Sequence, residues 1–350
     1  MGDSTYYKDS PKNPVAPQGS PVDHSFSPFD GKYVKNPCAE LEKRRLGSPI
    51  SYAEELGYVV LTRMEDILEV FKNDQVFSSE NVQYPVVPIC EAARSILVAE
   101  DCDPLPVLSN GKAPDHARVR MHAQSGFSSR RMKVLEPFVR NRCETLIDGM
   151  IKAGPPANFV KAVGHPLPGE TIFRFIGFPE ADDKKLKSWT TNRLAFTWGK
   201  TSDEEQVEIA ENMLVYWRYC SAFVKQRFEE PADDFTSELL AIHKSDPQEL
   251  AYKEIESVVY GLSFAGHEIV TNFLNNALIN LFSNRSQWDE ICKDPALIPS
   301  ALNEVLRIDS PRPVGAAWPF RIRKSPIKRF RRAQRFSCRW HRPTGTGRHS

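Results

Sequence analysis

The sequence predicts a mainly α fold with a small β part, and three observations carry that prediction. Apolar residues recur at helical spacing through most of the chain beyond residue 113. One clear β-rich run precedes them, "LGYVVLTR" at 56–63. The stretch 247–284 is too long for an ordinary surface helix. Its middle, Val258 to Phe264, is apolar nearly all round and is expected to run through the core.

At 350 residues, the chain is long enough for one large domain or two ordinary ones. A hydrophobic fraction of 41% and a charged fraction of 26% are those of a globular protein. No run of about 18 apolar residues occurs, so no membrane helix is expected. Residues 1–24 are polar and proline-rich, without an apolar signal core, and read as a flexible N-terminal arm on a cytoplasmic protein. The seven cysteines are scattered and none forms a C-x-x-C pair, so neither a zinc site nor a disulfide framework is indicated.

The elements follow in order. "RMEDILEVFKND" (63–74) repeats Met64, Ile67, Leu68 and Phe71 at helical spacing. Residues 80–112, with four prolines, read as an irregular loop region. Residues 113–154 read as two helices split near Gly126 to Ser129. Ser128 or Ser129 caps the second, and Gly154-Pro155 stops it. Helices are then expected at 159–179, 181–198, 202–231 and 234–244, then through 247–284 and on to "IDSP".

Three stretches carry chemistry. In "SFAGHEIVTN" (263–272), Gly266 costs about 1 kcal/mol in a helix interior. Beside Ala265 it leaves one helix face bare, open to something flat or to a packing partner. Glu268 places a carboxylate on the same apolar stretch, costly if buried unless paired, hydrated or used. In "NEVLR" (303–307), Glu304 and Arg307 share a helix face and can pair, as many solvated helices show. In "DHARVR" (115–120), His116 and Arg120 lie four apart, suited either to gripping one anion together or to a solvated basic face.

In their order and spacing, these motifs resemble the cytochrome P-450 family of haem-thiolate monooxygenases, in its soluble, bacterial-type form. Ala265, Gly266, His267 and Glu268 match the family's Ala/Gly-Gly-x-Asp/Glu helix. Glu304 and Arg307 match its E-x-x-R, and His116, Arg120, Phe127 and Arg130 match His-x-x-x-Arg before F-x-x-R. The resemblance spans roughly residues 25–320. It implies that His116 and Arg120 bind the propionates of haem b. It places Ala265 and Gly266 at an oxygen-binding notch and gives Glu268 a role in proton delivery. Glu304 and Arg307 become structural. It further implies a small organic substrate, dioxygen, and a ferredoxin or flavin reductase as electron donor, with no nucleic acid and no membrane.

The chain departs from that family twice. Ile269 stands where the family usually has threonine, and Thr271 lies about 200° around the helix from Ile269. A substrate hydroxyl, a water or Asn272 would then serve in its place. The family's iron ligand is a cysteine in Phe-x-x-Gly-x-x-x-Cys-x-Gly, many tens of residues beyond E-x-x-R. The 43 residues after Arg307 hold no such loop, and Cys338 in "RFSCRWH" has no flanking glycine. No metal ligand is therefore assigned, and the chain as written is expected to be inactive.

Residues 321–350 differ in kind from the rest. They hold 11 Lys and Arg and no acid, against 35 basic and 45 acidic residues in the first 320. With CGN codons for the arginines, the frame from the third base of each codon permits a different string. From Arg329/Phe330 onward it allows Val-Pro-Ala-Gly-Ala-Thr-Val-Leu-Leu-Pro-Leu-Ala-Ser-Ala-Asn-Arg-Asp, similar to a strand and turn of the family. The expectation is an out-of-frame tail after a shift near 318–328. The competing reading is a non-catalytic helical protein with a basic tail for nucleic acid or another partner.

Overall fold

The β-rich run at 56–63 forms strand β3, Tyr58–Leu61, within a six-stranded sheet. The computed structural model describes residues 16, 19–98, 102–190, 192–311, 314–319 and 335–339. The other strands are β1 Val22–Asp23, β2 Ile50–Ala53, β4 Phe77–Ser78, β5 Val314–Pro319 and β6 Arg335–Arg339. Their order is β1-β2-β3-β6-β5-β4. β2 and β3 form an antiparallel hairpin with Tyr52 opposite Val59, and β6 runs parallel to β3 with Val60 opposite Ser337. The flexible arm expected over 1–24 thus gives way to sheet by Val22, which pairs with Tyr52. Part of the basic tail also supplies a strand. Residues 321–334 and 340–350, on which the nucleic-acid reading rests, lie outside the described residues.

The helices are α1 Gly31–Lys35, α2 Pro37–Gly47, α3 Met64–Lys72, α4 Glu91–Val98, α5 Asp115–Ser125, α6 Ser129–Ala153 and α7 Pro166–Ile176. They continue as α8 Asp183–Thr190, α9 Arg193–Trp198, α10 Asp203–Glu229, α11 Phe235–Ser245, α12 Tyr252–Ser283, α13 Arg285–Lys293 and α14 Ile298–Ile308. Local signals set several ends. The Ser128 hydroxyl accepts from the Arg131 N–H and starts α6; Gly154, at φ +77°, ends it. Ser202 and Glu205 form a capping box at the head of α10.

Three expectations are corrected. The 80–112 stretch is not irregular throughout: α4 forms between its prolines because Ala93 and Leu97, four apart, both bury. The helix expected over 181–198 is broken into α8 and α9, with Asn192 left-handed at φ +63° between them. The long helix begins at Tyr252, not Pro247, and its first turn is closed by Glu254, whose Oε2 accepts from the Ala251 N–H at 2.8 Å.

The described residues divide into two compact units, one spanning Gln83–Thr271, the other within Pro11–Val82 and Asn272–Ser350. In the first, α7, α10 and α12 close a core around Phe173, Trp217, Phe223 and Val259. Burying each of these contributes roughly 1.5–3 kcal/mol. In the second, β2, β3 and α3 pack Tyr52, Val59, Leu61, Ile67 and Val70 together. Helix α12 belongs to the first unit up to Thr271. Among the described residues, no helix is long and apolar enough to cross a membrane.

Candidate active site

Helix α12 carries the candidate residues because its apolar run holds it in the core: Val258, Val259 and Tyr260 are buried, as expected. Ser263 fixes it further, accepting from the Tyr216 hydroxyl at 2.6 Å and donating to the Tyr260 carbonyl at 3.0 Å. One turn on, the two small residues part ways. A Cβ on Gly266 would meet Ile172 of α7 at 2.6 Å, so the bare face of Gly266 is filled by a packing partner. The open small-residue surface is that of Ala265, which is exposed. Gly266 therefore acts as the packing notch, and only Ala265 remains placed for a flat ligand.

Glu268 is mostly enclosed, and its Oε2 is buried without a hydrogen-bond partner. Burial pushes its carboxyl up to about 7, against the opposing pull of the Leu194 N–H and the Arg193 charge. Arg193 opens α9 and is itself buried. Sequence reasoning missed it: in "TTNRLAFTW" nothing marks the arginine as internal until Asn192 turns the chain. Thr271, as expected, does not stand in for the hydroxyl lost at Ile269. Its Oγ1 donates to the His267 carbonyl at 3.0 Å.

His267 occupies the variable position of the motif, to which the sequence gives no role. It is 1% exposed, with Nδ1 3.3 Å from Thr190 Oγ1 and its ring edge-on to His165, centroids 4.9 Å apart. Burial first, then the Lys187 charge, hold this imidazole down to about 4, so it stays neutral. Lys187 donates to the His165 carbonyl at 2.7 Å and is itself lowered to about 8 by burial. His165 follows a π-helical turn, Val160–Gly164, and its N–H reaches the Val160 carbonyl at 2.8 Å. This polar cluster draws on the turn before α7, on α8 and on α12, and no local sequence pattern announces it.

In α5, the "DHARVR" motif splits. Arg118 forks onto Glu254 at 2.6 and 2.9 Å, locking α5 to the start of α12. His116 is half-buried and Arg120 exposed, and among the described residues neither side chain makes a hydrogen bond or ion pair. No such contact joins them to Glu268. Phe127 stacks on Phe175, centroids 4.6 Å apart. In the second unit, Arg307 closes on Glu304 through two hydrogen bonds, at 2.6 and 2.5 Å.

No family model matches the chain. It is 27% identical over 285 residues to a vitamin D(3) 25-hydroxylase of Pseudonocardia autotrophica, across 81% of this chain and 67% of that protein. To a cytochrome P-450 of Bacillus subtilis it is 25% identical over 312 residues, across 87% and 74%. The solved structure of cytochrome P-450 CREJ in complex with (4-ethylphenyl) dihydrogen phosphate superposes with a TM-score of 0.84. There the identity is 31%, across 90% of this chain and 78% of that one. The chain belongs to the cytochrome P-450 family. An intact type IV self-sufficient cytochrome P-450 monooxygenase superposes at 0.87, with 26% identity, across 94% of this chain and 43% of that one. The fold is thus that of an oxidoreductase family whose named members include hydroxylases and monooxygenases.

Members of this family work with haem, and the described residues meet part of that requirement. Ala265 leaves helix surface open, Glu268 offers an unpartnered buried carboxyl oxygen, and His116 and Arg120 hold two unengaged donors four residues apart. The 350 residues contain no cysteine in a glycine-flanked loop, so their donor set for a haem iron is incomplete.

Proposed function

We propose that this fold serves haem-dependent monooxygenation of a small organic substrate, with dioxygen and with electrons from a ferredoxin or flavin reductase. We further propose that the 350 residues by themselves do not complete the reaction. The observation that carries the reading is Glu268, whose buried, unpartnered Oε2 lies on the core helix three residues from the exposed Ala265. A carboxyl raised to about 7 holds its proton near neutrality and can give it up at working pH. Ala265 leaves the neighbouring helix surface low, while Gly266 secures the helix against α7. His116 and Arg120 serve as the carboxylate grip, and Glu304 and Arg307 are structural. Haem, when bound, supplies the oxygen chemistry.

The absent glycine-flanked cysteine loop is the reason for inactivity, because thiolate ligation is what favours O–O cleavage in these enzymes. The basic segment 321–350 is then an out-of-frame tail on a cytochrome P-450 body of residues 25–320. A carbon monoxide difference spectrum of the reduced, haem-supplemented chain tests this. The 350 residues should lack the thiolate-type band, and a chain made from the alternate frame past 318–328 should show it. A thiolate-type band from the 350 residues would mean that one of their own cysteines ligates iron. An alternate frame without a Phe-x-x-Gly-x-x-x-Cys-x-Gly loop would remove the frameshift.

A further inference from the structure

Arg193 is 6% exposed, yet among the described residues no ion pair answers its charge. A guanidinium carries five N–H donors and cannot shed its charge. Among the described residues this one makes a single hydrogen bond, to Thr197 Oγ1 at 2.8 Å, and no ion pair. Its remaining neighbours are aromatic faces: its Cζ lies 5.7 Å from the Phe196 ring centroid and 5.5 Å from that of Phe264. Such cation–π contacts return less than the desolvation of a full charge. They offer no hydrogen-bond acceptor to the remaining N–H donors.

Two further observations show that the placement is built. Asn192, immediately before, is left-handed at φ +63° and is the one described non-glycine residue with positive φ. That turn starts α9 with Arg193 directed inward, an arrangement that asparagine tolerates better than most residues. The acid nearest in character, Glu268, does not neutralise the arginine. The two form no ion pair, and Glu268 Oε2 is buried without a partner. The Arg193 charge draws that carboxyl down, but burial outweighs it and holds it up at about 7.

We infer that Arg193 is an anion-binding subsite that receives the carboxylate or phosphate of an organic substrate, with Thr197 holding the guanidinium and Phe196 and Phe264 flanking it. Fork-shaped donors suit both oxyanions, and an apolar body attached to the oxyanion would lie against the rings. This rests on the proposed reading in that the substrate occupies the side of α12 that carries Phe264, Ala265 and Glu268. It adds what the substrate must carry.

Calorimetric titration of the full chain with benzoate, phenyl phosphate and neutral phenol tests it. The better oxyanion should bind at least about tenfold tighter than phenol, and which of the two wins identifies the group. Arg193→Met should abolish the preference without weakening phenol, and should not lower the melting temperature of the free chain. Equal binding of phenol and both oxyanions would overturn the subsite, as would a preference that survives in Arg193→Met. If that variant does not fold, Arg193→Gln decides, since it keeps a donor for Thr197 without the charge. The heat of binding requires no haem, so a lost anion preference and an unexpected thiolate band are separate failures.

Discussion

Glu304 and Arg307 sit three residues apart on α14 and close a forked pair at 2.6 and 2.5 Å with their side chains 55% and 28% exposed. Glu268 and Arg193 sit on different helices, are largely enclosed, and close no pair at all. The first pairing is visible in the spacing of the residues and asks little of the rest of the fold. The second arrangement encloses a carboxyl and a guanidinium on two helices with no ion pair between them. In water a stranded charge is hydrated at no cost; in a core it raises the free energy until something binds or a proton moves. Charge that is satisfied reports on structure, and buried charge left unsatisfied reports on chemistry.

The contrast is best broken from the packing side first. Gly266→Val on α12 should cost about 2–3 kcal/mol, because its Cβ would stand 2.6 Å from Ile172. Urea unfolding measures the loss, and Ile172→Ala in the same chain should return part of it. A neutral Gly266→Val would mean the notch is open and that Gly266, like Ala265, faces a ligand. The next effect depends on pH. Between its ordinary value of 4.5 and about 7, the folded carboxyl of Glu268 binds more protons than the unfolded one. Its contribution is therefore fully present below 4.5 and lost as pH rises through 7. Glu268→Gln should match the parent near pH 4 and exceed it at pH 8 in urea midpoint, and a constant difference would place Glu268 in solvent. The smallest effect belongs to α14. Arg307→Ala should leave the urea midpoint within the scatter of the measurement, because exposed pairs contribute little. A clear loss there would show that Glu304 and Arg307 hold more than each other.

Much of this molecule was legible in its residues, for reasons that are local. Ser128 stands where an N-cap belongs, and α6 begins after it. Val258 to Tyr260 are apolar on every side, and the helix that carries them is buried there. Short-range rules misled where neighbours in space intervened. Prolines made 80–112 look irregular, but Ala93 and Leu97 found a core to enter and α4 formed. Ala265 and Gly266 looked like one notch, and Ile172, some ninety residues earlier, filled half of it.

By itself the sequence determined the class of fold, the long core helix, the order of motifs that marks the family, and the pairing of Glu304 with Arg307. All of these depend on periodicity, capping or spacing within a few turns, where the chain's own geometry sets the distances. Tertiary structure decided which side of α12 is packed and which is open. It buried His267 beside His165, lifted the Glu268 carboxyl toward neutrality, and enclosed Arg193 without an ion pair. Burial is a property of what surrounds a side chain, and residues far apart in the chain supply those surroundings.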